Sequence, residues 1–296
     1  MAFRLKRKES VARGVKRLAD KALRSARNDL RPGKSKDRSE AVHKARKRIK
    51  KARALLELVR ADVGREYQRD KRHLQHAARP LSQERDATIL LTTFDDLRRR
   101  NRGKLRPQSW IAIRHSLEAA AAEASRQGLR PASIADTLHV LDIVRDHSRS
   151  WSLKAKGFRA LRPGLKRSFA RARKALHRTR ADHAPDTLHR WRKRVKTHWY
   201  QLQLLESVEP RQLRPYLLKL RRLETWLGDY HDLVVLVEHI EKVDLPQAIQ
   251  DDLGRFRAIV GRRQTQLLNK SQALGDRVYA ERRSKYLSWL ERPWRT

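Results

Sequence analysis

The apolar residues of this chain recur at three- and four-residue steps. Over 40–62 they fall at Val42, Ala45, Ile49, Ala52, Leu56 and Val59; over 187–206 at Leu188, Trp191, Val195, Leu202 and Leu205. A stripe of that period is the signature of a helix that buries one narrow face. The same reading predicts helices near 5–29, 65–79, 83–99, 109–126, 133–148, 164–179, 211–228, 230–243, 247–273 and 277–291. Between them stand the breakers Arg31-Pro32-Gly33, Asn101-Arg102-Gly103, Gly128 to Pro131 and Arg162-Pro163-Gly164, with Pro185, Pro210, Pro215 and Pro246. Pro185 followed by Asp186 and Thr187 reads as a helix start, with Asp186 or Thr187 as N-cap. No segment holds the period of two that a strand needs. The class is therefore all-α, a pair of helical bundles.

Two of these helices spell nearly the same sequence. Val42-His43-Lys44-Ala45-Arg46-Lys47-Arg48-Ile49-Lys50 matches Leu188-His189-Arg190-Trp191-Arg192-Lys193-Arg194-Val195-Lys196, with His189 lying 189 − 43 = 146 positions after His43. The same step links Asp86 to Asp232 (232 − 86 = 146). A basic segment repeated at a fixed distance points to two related halves facing a shared centre. The halves would run over about 1–150 and 151–296 of a single 296-residue unit, with a boundary in the polar stretch 148–156.

Charge sharpens this picture. Lys and Arg number 72 against 33 Asp and Glu, a formal net charge of +39 at pH 7. Such a chain repels itself unless an anion offsets it, so its partner is a nucleic acid, an anionic surface or an inorganic polyanion. There is no cysteine, which excludes disulfides, thiolate metal sites and cysteine nucleophiles and fits a reducing compartment. No run of 18 apolar residues suggests a membrane span. The N-terminus lacks the apolar core of a signal peptide, so a cytoplasmic location is expected.

On a helix, His43 shares its face with Arg46, Lys47, Lys50 and Arg53; His189 shares its face with Arg192, Lys193 and Lys196. Cations one turn apart repel, and a solvated helix would interleave Glu to relieve them. No acidic residue falls within 43–53 or 189–200. These stripes are read as built for an anion, with the histidines as donors to its oxygens. Arg167, Arg171 and Lys174 form a further one-faced set that would line the same site. Asp86 and Asp232 oppose a polyanion and are read as structural, either capping a helix or holding a stripe cation. His73 and His76 stand at i, i+3 and could chelate a metal, but no carboxylate is expected to sit suitably beside the pair and the surrounding Arg and Lys oppose a cation, so no metal is expected there. Trp151, Trp191, Trp199 and Trp226 are read as packing residues.

Catalytic signals are weak. Gly33-Lys34-Ser35 resembles the end of a phosphate-binding loop, but residue 28 is Asn rather than Gly. No carboxylate cluster suited to magnesium is evident, so no enzyme activity and no cofactor are expected.

The two His-x-x-Arg-Lys-x-x-x-Lys helices resemble those of the conserved histidine α-helical domain, CHAD. So do Gly228-Asp229-Tyr230-His231-Asp232-Leu233, its degenerate counterpart Glu84-Arg85-Asp86, the run Gly164 to Lys174, and Tyr279 to Lys285. The likeness covers about 3–292. It implies two pseudo-symmetric four-helix-bundle-like halves around a basic central groove or pore, and binding of inorganic polyphosphate, often at polyphosphate granules. Three positions depart from the family pattern. Trp199 stands where an Arg is common, Ser82 replaces a Gly, and Lys50 replaces an Arg and so loses the bidentate fork. The alternatives carried beside this reading are nonspecific nucleic-acid binding and polyphosphate hydrolysis. The oligomeric state is left open.

Overall fold

The computed structural model of the protein describes residues 3–294 apart from 7, 32, 34–36, 65, 128–129 and 244; the side chains of 82–88, 125, 127 and 248 also lie outside the description. Among the described residues there is no strand. The helices are α1 (Val11–Leu30), α2 (Arg38–Leu58), the short α3 (Arg60–Val63), α4 (Glu66–Ala78), α5 (Gln83–Arg100), α6 (Pro107–Gln127), α7 (Pro131–Ser150), α8 (Phe158–Ala181), α9 (Pro185–Gln203), α10 (Pro210–Ile240), α11 (Gln250–Val278) and α12 (Arg283–Glu291).

Helices α1, α2, α4 and α7 are neighbours in a closed ring, and α8, α9, α10 and α11 close a second ring. The α5–α6 hairpin leans on α10, and α12 on α8. The rings meet where α2 packs on α9 and α8. Buried residues from Leu5 to Leu290 form one continuous core, so the apolar stripes of both rings belong to a single hydrophobic unit. No helix among the described residues is long and apolar enough to cross a membrane.

The structure departs from the periodic reading in several places, each with a local cause. Helix α1 begins at Val11, not near residue 5, because the Ser10 hydroxyl accepts from the Arg13 amide as N-cap. The residues before it are drawn to α9, where the Leu5 amide donates to the Leu204 carbonyl at 2.9 Å. The stretch 40–62 is two helices, α2 and α3. Helix α9 starts with Pro185 at its first position and Ala184 as cap residue, so neither Asp186 nor Thr187 is the cap. Instead Asp182 gathers that end, accepting from the Ala184 amide and the Thr187 hydroxyl. The segments 211–228 and 230–243 are one helix, α10.

Pro163 and Gly164 do not break the chain; α8 runs through them. Gly164 is where α8 crosses the end of α2. A Cβ there would lie 2.0 Å from the Leu58 carbonyl oxygen, so only glycine permits the approach. That crossing sets Arg167 and Arg171 beside the last turns of α2.

Candidate functional site: cations on adjoining helices

The repeated helices α2 and α9 lie against each other, joined by a buried bond from the Gln201 side-chain amide to the Ala54 carbonyl at 3.0 Å. His43, Arg46, Lys50 and Arg53 are half-buried on α2 and Lys47 is exposed; on α9, His189, Arg192 and Lys196 are half-buried and Lys193 is exposed. Burial lowers the Lys193 pKa, and Arg53 of the facing helix lowers it further. Arg53 and Lys193 therefore meet electrostatically across the α2–α9 seam. Burial followed by Lys47 and Arg48 depresses Lys51 to about 8. Its ammonium sits 5.0 Å from the Phe3 ring centre and 5.9 Å from that of Tyr200.

Arg171 of α8 bonds Glu57 of α2 at 2.7 Å, and Arg194 of α9 reaches the same carboxylate at 4.0 Å. Arg167 carries no ion pair among the described residues, and burial, then Arg60 and Arg171, lower its pKa. Thus Arg167 and Arg171 do face α2. Lys174 turns elsewhere, into a cavity of about 650 Å³ between α8 and α12. That cavity is also lined by Lys166, Arg173, His177, Arg282 and Arg283, with Phe169 and Leu287 in its wall. Arg162 at its edge is paired with Glu291 at 3.0 Å. Its Lys and Arg residues other than Arg162 have no ion pair among the described residues.

Two of the predicted anion ligands also make contacts within the protein. The Arg46 guanidinium donates to the Leu81 carbonyl at 2.6 Å, where the chain turns from α4 into α5. Arg192 lies across Gly228 of α10: a Cβ at 228 would meet its guanidinium at 3.0 Å. Gly228 is thus a seat for an arginine within a continuous helix. Glu224, one turn earlier, stands 3.7 Å from Arg192 and 2.5 Å from the Lys196 ammonium. The absence of acidic residues within the stripes is accordingly relieved in part from a neighbouring helix.

His189 is packed against His231, ring centres 4.2 Å apart. Burial, then His231, Lys193 and Arg192, push its pKa down to about 4. It is neutral at pH 7 in the free protein. Asp232 lies inside α10, eight residues before Ile240 (240 − 232 = 8), so it is not the cap of that helix. The Asp86 side chain, Ser82 and Lys34-Ser35 fall outside the described residues. Trp151 and Trp191 are buried in the core, while Trp199 and Trp226 are half-buried at its margin, and Trp199 stacks on Tyr200 at 5.1 Å. His76 pairs with Asp136 at 3.4 Å and does not act together with His73.

Fold and surface together define an all-helical protein whose cations gather on adjoining helices. The chain belongs to the CHAD domain family, whose model matches residues 9–241. Among solved structures it is similar to the crystal structure of the CHAD domain from the plant Ricinus communis. Identity there is 17%, coverage is 95% of this chain and 96% of that one, and the TM-score is 0.62. No curated protein matches it.

Proposed function

We propose that the protein binds inorganic polyphosphate along the surface shared by α2, α8 and α9, without chemical turnover. The observation that carries this reading is the meeting of Arg53 and Lys193 across the α2–α9 seam, with no ion pair to either among the described residues. Lys47 and Arg167 extend this set. Crowded cations, of which Arg53 and Arg167 are half-buried, are held at an electrostatic cost that a bound anion removes. Membership of the CHAD family supports a polyphosphate as that anion. A thin, flexible phosphate chain can follow a line of cations more closely than a stiff duplex can. Charge-assisted hydrogen bonds and counterion release then supply affinity. Association with polyphosphate granules would follow from such binding.

The test is calorimetric titration with polyphosphate of defined length at two salt concentrations, beside duplex DNA. Saturable, salt-sensitive binding to polyphosphate and much weaker binding to DNA are expected. Arg53→Glu with Lys193→Glu should weaken polyphosphate binding at least about tenfold with helicity unchanged. Equal affinity for DNA, or unchanged affinity in that variant, overturns the reading.

A further inference from the structure

We infer that Asp70, His73 and His147 form a binding site for one divalent transition-metal ion, of the kind Zn²⁺ represents. The site joins α4 to α7 in the first ring, apart from the cations of α8 and α9. Asp70 is completely buried. His73 follows it by three residues, so both project from the same face of α4. His147 comes from the last turns of α7. One ligand atom from each residue lies within 4.8 Å of the other two.

Hydrogen bonding accounts for part of this cluster. Asp70 Oδ1 lies 2.8 Å from His147 Nδ1, and Asp70 Oδ2 accepts from the Trp151 indole at 3.1 Å. These two contacts suffice for the carboxylate, and they leave His73 unexplained. Its Nδ1 is buried with no hydrogen-bond partner among the described residues, while its ring faces that of His147 at 6.2 Å. A buried ring nitrogen turned toward a carboxylate and a second imidazole has the chemistry of an unused ligand.

The donor set suits the metal. Two imidazoles and one carboxylate are a borderline nitrogen and oxygen set, with a further position for water because His147 is part-exposed. His147 would present the Nδ1 lone pair in the tautomer that carries its proton on Nε2. The Trp151 bond to Oδ2 would hold the carboxylate so that Oδ1 faces the ion, the outer-shell support that metal carboxylates require. Arg69, 4.0 Å from Asp70 Oδ1, opposes a cation and limits its affinity.

The experiment is titration of chelator-stripped full-length protein with Co²⁺, followed by visible absorption, and with Zn²⁺, followed by calorimetry and thermal melting. One saturable equivalent and a raised Tm are expected. His73→Ala leaves both Asp70 bonds in place, so the fold should persist, yet binding should weaken about tenfold or more. His147→Ala should do the same, while His76→Ala, outside the cluster, should bind like the parent. No saturable equivalent in the parent, or undiminished binding in His73→Ala, overturns the inference. Polyphosphate binding is measured separately and is unaffected by either outcome.

Discussion

Glu224 of α10 holds Lys196 of α9 at 2.5 Å and stands 3.7 Å from Arg192, so one carboxylate restrains two cations of the second repeated helix. Replacing it by Gln leaves both cations in place and removes their counter-charge. The expected result for Glu224→Gln is a loss of about 1–2 kcal/mol in stability, because the partners are part-buried. Polyphosphate affinity should rise several-fold in the same variant. Urea unfolding checks the first effect and titration the second.

Gly164 predicts the opposite kind of failure. A methyl group there would lie 2.0 Å from the Leu58 carbonyl oxygen, and backbone cannot move aside as a side chain can. Gly164→Ala should therefore destabilise by about 3 kcal/mol or more, since α8 must back away from α2. Gly228→Ala meets only the end of the Arg192 side chain at 3.0 Å, so it should be milder, about 1 kcal/mol. Comparing the two unfolding midpoints separates a backbone crossing from a side-chain seat.

Stability should fall in acid through one buried and one half-buried histidine. His198, wholly buried and bonded to the Tyr286 and Tyr279 hydroxyls at 2.7 and 3.2 Å, has its pKa pushed down to about 3 by burial. His189 is pushed down to about 4. Both folded values lie below the unfolded value of about 6.5, so the unfolded chain binds more protons in between. Their contribution is fully present above about pH 6.5 and is lost as pH falls through the folded values, a few kcal/mol in total. Denaturant melts at pH 7, 5.5 and 4.5 should show the decline.

The same two residues test where the anion lies. Bound phosphate favours the protonated imidazole. If polyphosphate runs along α9, the His189 pKa should rise on binding, and that of His198, buried among tyrosines, should not. Histidine resonances followed by NMR through a pH titration would read both at once.

The helices were legible in the chain because each buries one stripe at a regular step, and the pairing of α2 with α9 was legible as a repeated sequence. What escaped was interaction across long separations. Glu57 meets Arg171, and Glu224 meets Lys196, from helices whose proximity no local spacing reveals. Gly228 reads as a helix end, but its missing side chain makes room for Arg192, a cause located 36 positions earlier (228 − 192 = 36). The turn of Lys174 toward α12 depends on helix rotation, which a one-faced wheel cannot fix. Asp70 stands three residues before His73 on the same helical face, but its approach to His147 of α7 is a long-range contact that the local spacing does not show.

The last turns of α2 are held by the other ring at two points, the Gly164 crossing at Leu58 and the Gln201 bond to Ala54. The connection between the rings, from Trp151 to Gly157, is by contrast a short irregular strap that includes half-exposed and exposed residues. Cohesion thus resides in the seam rather than in the covalent link. A chain severed in that strap would yield two pieces that seek each other out, so the protein is suited to fragment complementation. Neither piece alone would present the two repeated helices side by side; that paired surface would exist only when both pieces are together.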